Sequence, residues 1–406
     1  MSYQHITLKN GLRVIHQSTS SNVAYCGFAV NVGTRDEQEN ELGMAHFIEH
    51  LIFKGTKHRK AWHILNRMEN VGGDLNAYTN KEETVVYSAF LSEHFERAVE
   101  LLSDIVFSPT FPQHEIEKEV EVILDEISSY EDSPSELIYD DVENLLFAGH
   151  ELGRNVLGDP TQLKGFTTAD ALRFTQQFYQ PSNMVFFVRG KMDFKQVVRC
   201  CERYTLEIAP TTFLPTRKAP IAYVPQEIRR VKETHQSHVM LANRAYSVAD
   251  EQRTGLYLLN NILGGPGMNS RLNLALRERR GLVYEVESSL SAYTDAGAFT
   301  IYFGTDKKDA AHCIDLVHKE LKELREKRLT TARLSAAKKQ LIGQIGVSSD
   351  NFENDTLDMA KVFLHYNKFI IREEMYKRID DLTIEELFAI ANEIFDPQQL
   401  TTLIYE

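Results

Sequence analysis

The sequence lacks the features that mark several protein classes. Its four cysteines show no paired spacing of the kind that builds disulfide frameworks or structural zinc sites, so they are expected to act as small packing residues. No stretch approaches the length that crosses a bilayer, and the chain does not open with a basic segment followed by an apolar run. We therefore expect a soluble cytoplasmic protein with no membrane partner.

Positive charge is also scarce. Lysine and arginine number 45 against 58 acidic residues, and the resulting net charge of -13 argues against a nucleic-acid partner. The hydrophobic fraction of 43% is ordinary for a globular protein and is large enough for a real core. A chain of 406 residues with this composition predicts two or three domains.

The segment from His46 to His50 carries the strongest chemical signal. It reads His-Phe-Ile-Glu-His, and on a helix its two imidazoles and the carboxylate of Glu49 fall within about a 100° arc of one face. Histidines one turn apart can share a zinc ion while a neighbouring carboxylate serves a water molecule. A chance match in a core helix is the alternative, and a third ligand would decide between them.

The segment Glu115 to Glu131 is the candidate source of that ligand. Its apolar residues recur at helical spacing, and on the wheel Glu119 and Glu126 border one edge of the apolar stripe, two turns apart. They could present one ligand and one supporting acid to a single metal. The alternative is an acidic flank beside a core stripe.

In these residues and their spacing, the chain resembles the pitrilysin/insulinase-type zinc metallopeptidases, in the short branch that includes the mitochondrial processing peptidases. In that family a glutamate ligand follows the second histidine of the inverted motif by 76 residues, and another functional glutamate precedes that ligand by seven. The resemblance implies a Zn²⁺ ion held by His46, His50 and Glu126. It also implies Glu49 as general base and Glu119 as an assisting acid.

Other stretches share the resemblance, and they are His50–Thr56, Gly72–Thr79 with Glu83, Thr84 and Tyr87, and Leu152–Gly158. In the family the second of these contains an edge strand that pairs with the substrate backbone, which implies a substrate-binding role for Asn76 and Ala77. Without the resemblance, Asn76 near Gly72 and Gly73 would be interpreted as a turn residue.

The fold class expected is α+β, with two homologous αβ domains that each have a mixed or antiparallel sheet flanked by helices. A hairpin from Gln4 to Gln17 and a strand Val23–Val32 come first; helices then dominate to about Tyr179. A proline-rich segment without periodicity sets the predicted domain boundaries. They are a catalytic zinc-binding domain at 1–208, a linker at 209–225, and a related domain without the metal motif at 226–406.

The second half contributes a stretch from Ser270 to Tyr284. Its arginines read as a cationic helix end, and the preceding loop Gly264–Gly267 reads as a helix-start turn or a peptide cradle. In the family an arginine and a tyrosine seven residues apart grip the substrate carbonyl, which implies that role for Arg277 and Tyr284. The family clamshell needs two halves, so this chain would supply one half and act as a homodimer, with the pair completing the partner's site.

The function expected is zinc-dependent cleavage of unfolded peptides or presequence-like segments inside a dimeric clamshell chamber. The alternative is a non-catalytic clamshell subunit that binds peptides or acts as a scaffold, because the family contains members without activity. An active subunit that requires a different partner chain is a further alternative.

Overall fold

The computed structural model describes residues 3–209, 215–221, 223–232, 234–369 and 371–406. Two compact units divide the chain: the first consists of Met1–Ile127, Arg154–Arg217 and Ser349–Ile370, and the second of Ser128–Gly153, Lys218–Ser348 and Ile371–Glu406. The sequence predicted contiguous domains. Each compact unit instead includes one segment from the other half of the chain. The predicted linker at 209–225 has no helix or strand in its described part, and residues 210–214 and 222 lie outside the described residues.

Eleven strands lie in the described ranges: β1 Tyr3–Thr7, β2 Arg13–Ser18, β3 Val23–Val30, β4 Asp74–Thr79, β5 Thr84–Leu91, β6 Met184–Gly190, β7 Glu227–Arg230, β8 Ser237–Ala245, β9 Val283–Ala292, β10 Gly297–Thr305 and β11 Thr401–Tyr405. The α-helices in the same ranges are α1 Met44–Leu51, α2 Ala61–Glu69, α3 Phe95–Phe107, α4 Gln113–Glu131, α5 Pro134–Leu146, α6 Pro160–Leu163, α7 Thr168–Phe178, α8 Phe194–Thr205, α9 Arg253–Gly264, α10 Ala310–Glu326, α11 Thr331–Ser348, α12 Phe352–Tyr366, α13 Arg372–Asp381 and α14 Ile384–Ile394. No described helix has both the length and the hydropathy that a bilayer span requires.

The first unit is built on a six-stranded sheet with the order β1-β2-β6-β3-β5-β4. Only β2 and β6 pair in parallel. The predicted hairpin is present, and Gly11 takes a φ of 92° in its turn, which a side chain would disfavour. Helices α1, α2, α3, α4, α7 and α8 contribute to the main core on one face of this sheet, and α12 covers the opposite face.

The second unit repeats this plan with five strands in the order β7-β11-β8-β10-β9. Its parallel pair, β7 with β11, occupies the place of β2 with β6, and its edge strand β9 occupies the place of β4. Helices α9, α10, α11, α13 and α14 contribute to the core on one face, while α5 covers the other. The expected α+β class with two related domains is therefore confirmed.

The sequence analysis did not identify strands β5, β9 and β10, and it predicted helices over the region of β5. All nine residues of β10 are buried, and β5 is buried at six of its eight positions. A strand buried on both faces has no alternation of polar and apolar residues, so its periodicity cannot be told from that of a buried helix. All four cysteines are buried and free, in agreement with the packing role expected for them.

A buried ion cluster fastens α12 to the first sheet. Glu83, between β4 and β5, is 1% exposed and accepts from Lys361 Nζ and His365 Nε2, each at 2.9 Å. Burial alone would raise the pKa of Glu83, but the hydrogen bond from His365 and the charge of Lys361 outweigh it and lower the pKa to about 2.

This cluster predicts acid sensitivity. Because the folded-state pKa lies below the unfolded value, the ionised Glu83 stabilises the fold fully above about pH 5, and its contribution is lost as the pH falls toward 2. We expect Glu83→Gln to lower the free energy of unfolding by about 2–3 kcal/mol at pH 7 and by much less near pH 3. Urea unfolding at both pH values measures this, with the exposed Glu374→Gln as control. An equal loss at both pH values would contradict the assignment.

Candidate metal centre

Helix α1 is held in place at its N-terminus by groups that lie outside it. Glu37 accepts hydrogen bonds from the backbone N–H groups of Gly43 and Ala45, at 3.0 and 2.9 Å, and so takes the role of a capping side chain. Gly43 has a φ of 94°, and a Cβ there would lie 2.8 Å from the Cα of Gly158. Arg154 donates to the carbonyl of Glu37. The Leu152–Gly158 stretch singled out in the sequence thus helps to fix α1, the helix that carries the pentad His46–His50.

The structure brings the three predicted ligands together. Glu126 Oε2 of α4 lies 3.6 Å from His50 Nε2 and 4.0 Å from His46 Nε2. One ligand atom from each residue lies within 4.8 Å of the others, and no second group of this kind occurs in the described part of the chain. The Glu126 side chain is 45% exposed, so the cluster opens to solvent on one side.

Glu119 lies behind this cluster rather than within it. Its Oε2 is 3.2 Å from His50 Nδ1, and its Oε1 is 2.6 Å from Lys54 Nζ. Burial would raise the pKa of Glu119, but the hydrogen bonds with His50 and Lys54 lower it. A carboxylate at Nδ1 keeps the proton there, which leaves the Nε2 lone pair directed toward Glu126. Glu119 therefore sets the orientation of His50, and Lys54 in turn holds Glu119.

The protonation state of His46 fits a metal ligand. The residue is 7% exposed, and its burial, together with the neighbouring His50, lowers its pKa to about 4. The imidazole is therefore neutral near pH 7, as coordination requires. Two histidines and one glutamate are also the donor set of many catalytic zinc sites.

Glu49 lies on the same helix between the two histidines. Burial raises its pKa, and hydrogen bonding to Thr79 of β4 offsets part of that effect. A raised pKa lies closer to the working pH, which suits a carboxyl group that must both accept and release a proton. The contact also ties α1 to the edge strand, because Thr79 Oγ1 lies 3.5 Å from the carbonyl oxygen of Ala45.

The segment with Asn76 and Ala77 is an edge strand, as the resemblance implied. Both residues belong to β4, the last strand of its sheet, where Asn76 pairs with Tyr87 and Ala77 with Val86. The turn considered for Asn76 is therefore wrong. The second edge of β4 pairs with no other described strand, and α1 packs beside this strand. Its free backbone groups are suited to an added peptide strand.

Comparisons with known proteins agree with this geometry. Residues 13–160 match the family described as "Insulinase (Peptidase family M16)", and residues 165–341 match "Peptidase M16 inactive domain". An "Uncharacterized zinc protease" of Bacillus subtilis is 30% identical over 403 residues, covering 98% of this chain and 97% of the relative. One of Rickettsia felis is 32% identical, covering 98% and 96%. The chain belongs to the insulinase family, M16.

Solved structures show the same fold. A "peptidase M16 inactive domain" from Pseudomonas fluorescens superposes with a TM-score of 0.93 at 20% identity, covering 100% of this chain and 98% of that one. A "protease from Helicobacter pylori" gives 0.90 at 24% identity, covering 100% and 99%. The shared architecture confirms that the chain has the two-domain fold of these M16 structures.

Arg277 and Tyr284 lie close together in the second unit. The guanidinium carbon of Arg277 is 5.8 Å from the centroid of the Tyr284 ring, and Tyr284 is 84% exposed. Arg277 lies in the last turn of a π-helix over Asn273–Glu278. The arginine that donates to a carbonyl of that helix is Arg280, whose Nη1 lies 2.7 Å from Ala275 O. Arg277 has no acid partner among the described residues closer than the 3.9 Å contact with Glu278. The pair is thus available to a ligand.

The second unit contains a counterpart of the metal helix without its ligands. Helix α9 packs beside β9 as α1 packs beside β4. It carries Tyr257, Asn260 and Asn261, which repeat the spacing of the pentad, and its buried leucines fall at the same offsets as the buried apolar residues of α1. Tyrosine and asparagine are poor zinc ligands. This substitution agrees with the name that the family gives to its second domain.

Sequence reasoning missed Glu37, Lys54 and Thr79. Each acts on the pentad helix or its histidines through a contact that joins separate elements. No spacing rule connects Glu37 to a helix that begins seven residues later, and Lys54 reads as an ordinary exposed lysine until α4 is placed beside it.

Proposed function

We propose that this protein is a zinc-dependent endopeptidase that cleaves unfolded peptides or presequence-like segments inside a dimeric clamshell chamber. The observation that carries the proposal is the convergence of His46, His50 and Glu126, with Glu49 on the same helix. The relatives named zinc proteases support it, since they match nearly the whole chain. A cytoplasmic location remains part of the proposal.

In this mechanism His46, His50 and Glu126 hold the metal. A bound zinc ion supplies Lewis acidity toward water and the scissile carbonyl. Glu49 accepts the proton of the attacking water on its carboxylate and passes it to the leaving amine. The free edge of β4 orients the substrate backbone, with Asn76 and Ala77 in contact with it. Glu119 holds His50 in the tautomer that the site requires.

The direct test is digestion of a peptide library by the purified chain. We expect cleavage of internal peptide bonds, with about one zinc per chain, complete loss of cleavage after chelation, and recovery when zinc is returned. Folded proteins with no unfolded segments should resist cleavage. A zinc-loaded, correctly folded chain that cleaves no member of the library in any oligomeric state would refute the proposal.

The catalytic site is proposed to be shared between two identical chains. Arg277 and Tyr284 would donate hydrogen bonds to the substrate carbonyl oxygen as negative charge develops on it. A homodimer would let the pair from one chain complete the metal site of its partner. Their exposure and mutual proximity in the second unit support this role.

Mixed dimers test this sharing. Inactive Glu49→Gln chains and inactive Arg277→Ala chains should regain activity together, because a mixed dimer contains one intact base beside one intact arginine. Random exchange makes about half of the dimers mixed with one good site each, so we expect about a quarter of the wild-type activity. Mass spectrometry of the dimers verifies exchange. No recovery after verified exchange would contradict completion in trans.

The rival function is a non-catalytic subunit that binds peptides. The family name of the second domain, which contains the word inactive, gives this reading its support. Saturable peptide binding without any cleavage, by a chain that contains stoichiometric zinc, would favour it over the peptidase. An activity that appears only after a different chain is added would favour a heterodimer.

A further inference from the structure

A cleft of about 920 Å³ lies in the first unit, and its lining contains no residue of the metal cluster. None of the nine site residues predicted from the sequence contributes to it. The cleft is bordered by α2, α3, the loop before α2 and the end of α8, and its lining includes Lys57, His58, Arg59, Trp62, His63, Arg67, Arg97, Glu100, Ser103, Asp104 and Glu207. Its size is within the range of small-molecule sites.

Two of the three acids in this cleft already have partners. Asp104 accepts from Arg59 Nη1 at 2.6 Å and lies 2.6 Å from His58 Nδ1. Glu100 binds both Arg59 and Arg67, the latter at 3.0 Å. The third acid, Glu207, is exposed on the segment after α8. The carboxylates on α3 are therefore occupied by cations of the cleft itself.

Several donors in the cleft have no acceptor. Arg67 Nε and Ser103 Oγ are buried without a hydrogen-bond partner in the described chain, and Ser103 is only 4% exposed. Arg97 Nε donates to Arg67 O at 2.6 Å, and no described carboxylate lies within ion-pair distance of Arg97 or of Lys57. Buried donors are normally satisfied, so this set is suited to a ligand that supplies acceptor oxygens.

An aromatic surface lies beside these donors. Trp62, the only tryptophan of the chain, is 59% exposed, and its ring centroid lies 3.6 Å from that of His63. Proteins bind phosphate-bearing planar rings by stacking the ring on an exposed aromatic side chain while nearby cationic groups bind the phosphate. Lys57 and Arg97 are the cleft's two cations without a carboxylate partner among the described residues, in a chain whose net charge is -13.

We propose that this cleft binds a nucleoside phosphate. The phosphoryl oxygens accept hydrogen bonds from Arg67, Arg97 and Ser103, and the planar base lies against Trp62. The cleft is separate from the proposed peptidase chemistry, so its occupancy can be measured whether or not the chain cleaves peptides.

Trp62 provides the measurement, because all tryptophan fluorescence comes from the proposed site. Titration of the full-length protein with AMP should give a saturable change in emission with a dissociation constant below about 1 mM. Adenosine and inorganic phosphate, titrated separately, should each bind at least about tenfold more weakly, since each supplies only one of the two contacts. A saturable response to AMP that both partial ligands fail to reproduce supports the proposal.

Two variants separate a built site from chance binding. Arg97→Gln and Ser103→Ala should each weaken AMP binding, the former by about tenfold or more, whereas Arg328→Gln on the second unit should leave it unchanged. Calorimetric titration and circular dichroism accompany the fluorescence and show that the variants are folded. No saturable response to AMP up to about 10 mM, an unchanged affinity in both variants, or equal binding of phosphate and AMP would each overturn the proposal.

Discussion

Replacing Glu49 by glutamine should leave zinc bound and lower kcat by about 10³-fold. Glutamine keeps the size and hydrogen-bonding shape of the side chain but cannot accept the proton of water. His46→Ala should behave differently, because it removes one of three ligands and should lose both the metal and the activity. Zinc analysis after dialysis, together with peptide turnover at saturating substrate, measures the two effects in the same samples.

The matched control is Glu121→Gln on α4. Glu121 is exposed on the same helix as Glu126, and the same chemical change there should alter neither zinc content nor turnover. Full activity of a Glu49→Gln chain that contains stoichiometric zinc would remove Glu49 from the role of base. Retention of stoichiometric zinc by His46→Ala would remove that histidine from the ligand set.

The two halves of the sequence should fail to fold when they are produced separately. A chain that ends at residue 208 lacks α12, whose Met359, Ala360, Phe363 and Leu364 bury the second face of the first sheet. Four apolar side chains at roughly 1.5–3 kcal/mol for each large one come to about 5–10 kcal/mol, which is comparable to the whole stability of a domain. The half 226–406 loses α5 in the same way.

Co-expression of residues 1–208 and 226–406 should restore a soluble complex, because each half then supplies the helix that the other needs. Solubility, size-exclusion chromatography and thermal unfolding followed by circular dichroism measure this result. The control is a full-length chain with a protease site in the 209–225 segment, which should stay assembled after cleavage. A monodisperse 1–208 fragment with cooperative unfolding would contradict the requirement for α12.

The metal site could be predicted almost completely from the sequence. The pentad and the acidic helix each follow an α-helical period, which singled out His46, His50 and the pair Glu119 and Glu126. The family resemblance then implied Glu126 as the ligand, and the structure brings His46, His50 and Glu126 within reach of one ion. The catalytic and binding roles of these residues, and those of Arg277 and Tyr284, stay predictions. The partners of the ligands could not be foreseen, since Glu37 and Lys54 act across elements that are distant in space until the chain folds.

The fold was predicted in its class and in its internal repeat, but not in its boundaries. The hairpin has turn residues that identify it, whereas β5 and β10 are buried on both faces and show no alternation of polar and apolar residues. Helices α5 and α12 were assigned to the half of the chain in which they occur. Their apolar faces do not encode which sheet they cover, because any sheet with an apolar face would accept them.

The exchange of α5 and α12 restricts how such genes can recombine. A crossover in the 209–225 segment between two paralogues would join intact halves, yet each sheet would then be covered by a helix inherited from the other parent. Chimeras made at that point inherit two mismatched helix–sheet packings. Viable hybrids should instead carry helix and sheet from one parent, with five crossovers in place of one.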